Sequence, residues 1–263
     1  MKTNLKLALA SLLFLVLLSC QKDKDILPAN ARLKQVLLYQ YKDAIEPVGI
    51  EEQYEYNNSG QISKVSHKDY LITGFLNYDL YEYNSIGQLI KINHYDSNSN
   101  SPTGYELGII YTYTYSIDGK KIKETIAYRY GGSEYVAEIN KFFYTEGRLS
   151  RIENYDTGSL GEMLQVYTII EFDENNQPVR EVLYLGYTNT PLTWTINTFS
   201  NGLNVKTVIY SHIEGYIEDP DYIIREFIRT FDVNGNLKIL ETVQGNLSGQ
   251  FGNFVYKYIY FGE

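Results

Sequence analysis

Tyrosines alternate with polar residues over several short stretches: Tyr54 and Tyr56; Tyr81 and Tyr83; Tyr111, Tyr113 and Tyr115; Tyr256, Tyr258 and Tyr260. A period of two marks a half-buried β-strand, because successive strand side chains leave on opposite faces. Each stretch but the last runs into a short polar segment, then into an aliphatic pair three residues apart. The pairs are Ile62/Val65, Leu89/Ile92, Ile122/Thr125, Leu149/Ile152, Val179/Val182, Val205/Val208 and Leu237/Leu240. A flat strand cannot keep two residues three apart on one face. Either the first packs against the turn, or a bulge intervenes. No segment after the first twenty residues sustains a helical period, so the chain reads as all-β.

The segments between the strands repeat one phrase: an aromatic, a small polar residue, two variable residues and Gly. Tyr56-Asn57-Asn58-Ser59-Gly60 and Tyr83-Asn84-Ser85-Ile86-Gly87 are full copies. Gly119, Gly147, Gly202 and Gly235 hold the same place, and Asn176 substitutes for Gly in the fifth copy. A leading Asn, Asp, Ser or Thr can bond its own backbone two residues on. The Gly supplies positive φ, as a type I turn with a G1 bulge requires, and Asn is the best substitute. Leu33-Lys34-Gln35-Val36 is an after-turn half without its partner, and Phe254–Phe261 is a before-turn half. Half a copy, seven hairpins and half a copy predict an antiparallel meander of about sixteen strands. The two halves complete one another, so the expected form is a large or flattened closed barrel, which leaves no exposed edge. The alternative is an open, curled single-layer sheet.

Residues 1–19 read as a signal peptide, with Lys2 and Lys6 ahead of an apolar run from Leu7 to Leu18 that is too short to span a bilayer. The run ends Leu17-Leu18-Ser19-Cys20, which resembles the lipobox of bacterial lipoproteins. That resemblance implies cleavage before Cys20 and an acyl anchor on it. Gln21-Lys22-Asp23-Lys24-Asp25 is similar to the charged export tag of Bacteroides-group surface lipoproteins. The expected organisation is a signal at 1–19, a lipidated Cys and linker at 20–31, and a β-repeat domain at 32–263.

Composition narrows the function. The 263 residues include 27 Tyr and a single Cys, and the net charge is −9. Losing Lys2 and Lys6 leaves 21 basic against 32 acidic residues. So acidic a chain is a poor partner for phosphate backbones, and nucleic acid is not expected. With Cys20 acylated, no thiol remains for a metal or for catalysis. His67, His94 and His212 lack zinc-site spacing, and no Gly-x-Ser-x-Gly or phosphate loop occurs. Asp96–Asn100 opens like a calcium loop, but Ser101 and Leu107 stand where Gly and Glu are needed. Glu218-Asp219-Pro220-Asp221 reads as a solvated turn. No metal, cofactor or catalytic residue is expected.

The Tyr-Asn/Asp-x-x-Gly-x-Leu phrase resembles the tyrosine–aspartate repeats of Rhs-type shell proteins. The layout over residues 30–263 is similar to Bacteroides-group lipoproteins with a porin-like fold. The resemblance implies a large barrel and carries over no catalytic residue. Charges on both faces at Arg180/Glu181 and at Arg225, Glu226 and Arg229 argue against a lipid-facing wall. The expectation is therefore a non-enzymatic outer-membrane lipoprotein, exposed at the surface. It would bind a glycan or peptide at the rim of longer loops (40–52, 96–107, 184–192 and 211–221) or in the interior. Tyr70, Phe75, Tyr105 and Tyr187 are the candidate loop aromatics for that role. A structural or protein-interaction scaffold is the alternative, followed by a hydrolase or a transmembrane barrel.

Overall fold

The computed structural model describes residues 32–39, 43–67, 77–99, 101–130, 132–159, 161–211, 223–244 and 254–260. Sixteen strands account for nearly all of them: β1 (Leu33–Tyr39), β2 (Gly49–Tyr56), β3 (Ile62–His67), β4 (Asn77–Tyr83), β5 (Leu89–Ser97), β6 (Tyr105–Tyr115), β7 (Lys121–Tyr130) and β8 (Ser133–Thr145). The chain continues with β9 (Arg148–Gly158), β10 (Gly161–Phe172), β11 (Pro178–Leu185), β12 (Pro191–Ser200), β13 (Leu203–Ser211), β14 (Ile223–Phe231), β15 (Leu237–Gln244) and β16 (Phe254–Tyr260). Each strand pairs with its sequence neighbours, and β1 pairs with β16 from Leu33↔Tyr260 to Tyr39↔Val255, so the sheet is a closed barrel. The half-copies at the two ends form the seam.

The hairpin turns set one rim. Gly60, Gly87, Gly119, Gly147, Asn176, Gly202 and Gly235 all have φ between 63° and 84°. In the first copy Gly60 N–H donates to Asn57 O, while the Asn57 carboxamide oxygen accepts from the N–H groups of Ser59 and Gln61. Asn84, Asp173 and Asp232 cap their turns in the same way. Two copies depart from the expected type I turn with a bulge residue. Glu146 and Asn201 also have positive φ, and Thr145 pairs with Arg148 and Ser200 with Leu203. These are two-residue loops of the I′ kind, whose twist suits a tight hairpin.

The three-residue spacing after each turn comes from a bulge. The ladder runs Tyr56↔Ile62 and then Glu55↔Lys64, skipping Ser63. Ile62 and Val65 therefore share a face with Tyr56 and Tyr54. Counted from the turn Gly or Asn, positions +2 and +5 face one way and +4 the other. This register moves three of the expected pairs by one residue: Lys121/Glu124, Pro178/Glu181 and Asn204/Thr207 take the places assigned to Ile122/Thr125, Val179/Val182 and Val205/Val208. The bulge is counted from the turn, so the side chain that follows cannot shift it.

The +5 face is the interior. Groups on it sense one another across intervening strands, as Tyr54 does with Tyr258 of β16 and Tyr81 of β4. Val36, Val65, Ile92, Glu124, Ile152, Glu181 and Thr207 occupy this height around the barrel, none more than 8% exposed, and the half-buried Leu240 stands beside them. A round sixteen-stranded bore would leave such a ring wet; here side chains cover it. The outer face carries a cation at +4 in six of the seven hairpins: Lys64, Lys91, Lys123, Arg151, Arg180 and Lys206. Lys64 pairs with Glu55 at 3.4 Å, Arg180 with Glu171 at 2.9 Å and Lys206 with Glu226 at 3.1 Å. Such a belt suits water or headgroups better than acyl chains, since a charge at the bilayer midplane costs a few kcal/mol.

Tyrosine hydroxyls join four of the hairpins to the strand pair before. Tyr56 donates to Leu33 O, Tyr83 to Ile62 O, Tyr115 to Leu89 O and Tyr144 to Lys121 O, all at 2.7–2.9 Å. Phe199 cannot do this, and the Asn197 amide donates to Pro178 O at 2.9 Å instead. We expect Gly87→Val and Gly235→Val each to lower stability by about 1–3 kcal/mol, since a β-branched residue at positive φ is strained. Asn176→Gly should be neutral or mildly stabilising. Urea midpoints check both, and unchanged valine variants would contradict the turn assignment.

Candidate binding site on the inner wall

Near position +7 the inner wall is polar on β2–β5 and again on β8–β9, with Ile109 and Ile126 between. Glu52 lies directly opposite His67, and Asp79 directly opposite His94. The two histidines are the same repeat position, which is why both strands present an imidazole here. Asp79 bridges them: His67 Nε2 is 3.0 Å from Asp79 Oδ2, and His94 Nδ1 is 2.6 Å from Asp79 Oδ1. Glu52 Oε1 lies 3.6 Å from His67 Nδ1, and the Tyr54 hydroxyl donates to Glu52. At the outer end His94 Nε2 is 3.3 Å from Asp96, whose carboxylate is mostly exposed. Acid and imidazole thus alternate across four strands.

Burial opposes the charge on His67, but its hydrogen bonds to Asp79 and Glu52 prevail and raise its pKa to about 9. The bond to Asp79 likewise raises His94. For Asp79, burial works against ionisation, yet the two imidazoles hold its carboxyl below the ordinary range.

A second cluster lies on β7–β9. Asn140 donates to Glu124 at 2.8 Å, and Asn154 donates to Asn140 at 3.0 Å and to Glu138 at 3.2 Å. Glu138 sits directly across from Asp156. Burial, reinforced by the charges of Asp156 and Glu124, raises the Glu138 pKa despite the Asn154 bond. Tyr111 of β6 lies between the two clusters and within electrostatic reach of Asp79, Glu124 and Glu138. Above the second cluster, towards the long-loop rim, Tyr128 and Tyr135 stack with centroids 5.9 Å apart. Tyr135 is 55% exposed and Met163 60% exposed, so this mouth is open to solvent.

A third group is closed off. Glu181 is buried against Asn197 at 3.3 Å; Thr207 donates to Asn197, and Arg229 donates to Thr207 at 2.8 Å. Burial pushes the Glu181 pKa up to about 7, a shift the Asn197 bond only partly offsets. Glu181, Asn197 and Thr207 are all buried, so this group mainly fills the wall.

The long-loop rim is narrower than the sequence suggested, because strands extend into it: β5 runs to Ser97, β6 begins at Tyr105 and β11 reaches Leu185. Tyr105 is thus a strand residue, edge-on to Tyr78 at 4.9 Å, and Tyr78 stacks on Tyr95 at 4.7 Å. Tyr187 is 75% exposed in the β11–β12 connection. Tyr70, Phe75, His212, Glu218–Asp221 and Cys20–Asp25 lie outside the described residues. Glu52, Asp79, Tyr111, Glu138, Asn140, Asn154 and Asp156 were missed from sequence. Counting +7 from each turn, and reading across to the paired strand, would have found most of them.

No family model matches the chain, and no curated protein matches it. Among solved structures, a porin-like protein from Bacteroides uniformis is 9% identical with a TM-score of 0.40, covering 87% of this chain and 96% of its own. A porin-like protein from Bacteroides vulgatus is 10% identical at TM-score 0.40, covering 89% of this chain and all of its own. A Bacteroides fragilis protein of unknown function is 17% identical at TM-score 0.37, covering 43% of this chain and 86% of its own. Likenesses this shallow carry no argument about what the chain does.

Proposed function

We propose that the protein is a non-enzymatic, lipid-anchored envelope protein that binds a glycan at the inner-wall mouth between β7 and β10. The observation that carries this reading is the open Tyr128–Tyr135 stack above the Glu138–Asn154–Asn140 ladder. Aromatic faces pack against the C–H faces of sugars, while carboxylates and amides bond hydroxyls. The lipobox-like Leu17-Leu18-Ser19-Cys20 supports the anchor, and the charged Lys22–Asp25 segment supports display on the outer membrane.

Isothermal titration with soluble neutral oligosaccharides tests the binding half. Tyr135→Ala should weaken the best ligand by about tenfold, the worth of one stacking contact. Equal affinity, or tighter binding of extended peptides than of any sugar, would sink the glycan reading. Cys20→Ala should abolish acyl labelling and leave uncleaved precursor; retained labelling would refute the anchor. Glu138 facing Asp156 also favours a second reading, glycoside hydrolysis. Sugar release that disappears in Glu138→Gln would establish it over the first.

A further inference from the structure

The chain enters the barrel at the hairpin-turn rim. Leu33, the first residue of β1, pairs with Tyr260 there, and its carbonyl accepts the Tyr56 hydroxyl. The Arg32 guanidinium lies against the first turn, with Nη2 2.7 Å from where a Cβ on Gly60 would stand. Residues 21–32 separate this point from Cys20, a reach of at most about 40 Å when fully extended. An anchor at Cys20 therefore tethers the barrel by its turn rim and not by its long loops.

Turns favour Asn, Asp, Ser and Gly at their tips, for the bonding reasons already given. Three tips here break that rule. Ile86 is 77% exposed, Ile117 108% and Val233 101%, all at turn apices on the tethered rim. Two acids of this rim are paired within it, Asp118 with Lys120 at 2.7 Å and Glu146 with Arg148 at 2.8 Å, and Glu174 stands exposed on the β10–β11 turn. The Asp173 and Asp232 carboxylates are occupied by turn amides. A rim of apolar tips among charges that are largely paired or hydrogen-bonded suits a zwitterionic headgroup layer better than a charged protein partner.

We propose that the turn rim is the membrane-docking end of the barrel, with Ile86, Ile117 and Val233 seated in the headgroup layer of the bilayer that holds the anchor. This rests on the lipoprotein reading above. It leaves the β7–β10 mouth at the far end, turned towards solvent and ligand. Apolar side chains inserted at an interface add buried area to the membrane attachment that the acyl anchor supplies and fix the orientation of the barrel on it.

Cysteine reporters test the orientation. Acylated full-length chains carrying Ile117→Cys, Val233→Cys or Tyr187→Cys are bound to the outside of phosphatidylcholine/phosphatidylethanolamine vesicles and treated with a membrane-impermeant maleimide. The tip reporters should label at least about fivefold more slowly on vesicles than in detergent, while Tyr187→Cys changes less than about twofold. Equal rates at 117 and 233 in both media, with acyl label present on Cys20, would overturn the docking proposal and leave the lipoprotein reading intact. Absence of the acyl label would overturn both. A serine triple variant at 86, 117 and 233 should bring faster release from the vesicles; unchanged release would count against the tips.

Discussion

Removing residues 254–263 will leave a chain that aggregates instead of unfolding cooperatively. The deletion takes out β16, which pairs with β1 over six positions on one side and with β15 over four on the other. Two ladders are lost and two edges, β1 and β15, are exposed together. Unpaired edges about 4.8 Å from their missing neighbour are templates for intermolecular pairing. The interior would also open at Val36 and Leu38, each 3% exposed in the closed form. Size-exclusion chromatography and a urea titration followed by circular dichroism are the measurements. A monomer with a sharp transition would mean that β16 is dispensable, as a terminal strand of an open sheet would be.

Asp79→Asn should cost about 3 kcal/mol near pH 6, because it leaves two covered imidazolium groups without their shared partner. The parent's pH dependence follows from the same residues. His67 titrates near 9 in the fold against 6.5 in the unfolded chain, so its contribution is complete below pH 6.5 and lost as pH rises through 9. The lowered Asp79 contributes above its unfolded value of 3.8 and fails as pH falls through its folded one. Glu181, raised from 4.5 to about 7, removes stability between those two values and none above. The diagnostic window is therefore pH 7.5–9.5. The parent's urea midpoint should fall there, while the Asp79→Asn midpoint should stay nearly flat. Parallel slopes would show that the bridge does not hold β2–β5 together.

The turn chemistry and the seam were legible because each depends on local residue type. Positive φ at Gly87 or Asn176 follows from backbone sterics alone, and the half-copies at Leu33 and Phe254 name their own partners. The interior was not legible, because sequence reading placed aliphatics inside wherever they were available. At Lys121/Glu124, Pro178/Glu181 and Asn204/Thr207 the bulge takes precedence over hydrophobicity, and apolar Val182 and Val208 are buried on the opposite face. There Trp194 stacks on Tyr210 at 5.3 Å and Tyr167 on Tyr184 at 5.0 Å, so cross-strand ring pairs shelter the wall from outside. The candidate site was hidden for the same reason. Glu138 and Asp156 meet only through a ladder whose register a single skipped residue decides.

Four hydroxyl links from one hairpin to a carbonyl of the last, at Tyr56, Tyr83, Tyr115 and Tyr144, make those junctions of the ring chemically alike. The half-copy at β1 takes part as a full hairpin would, since Tyr56 of β2 reaches Leu33 O of β1 as Tyr83 of β4 reaches Ile62 O of β3. Tyr260 and Leu33 lie side by side where an eighth turn would stand. The order in which the chain visits the ring is therefore arbitrary to the ring itself. A circular permutant joined across that gap by Asn-Gly and opened at Gly147 would make the same contacts with its ends elsewhere. It would also carry any tether introduced at its new start to a different sector of the same rim.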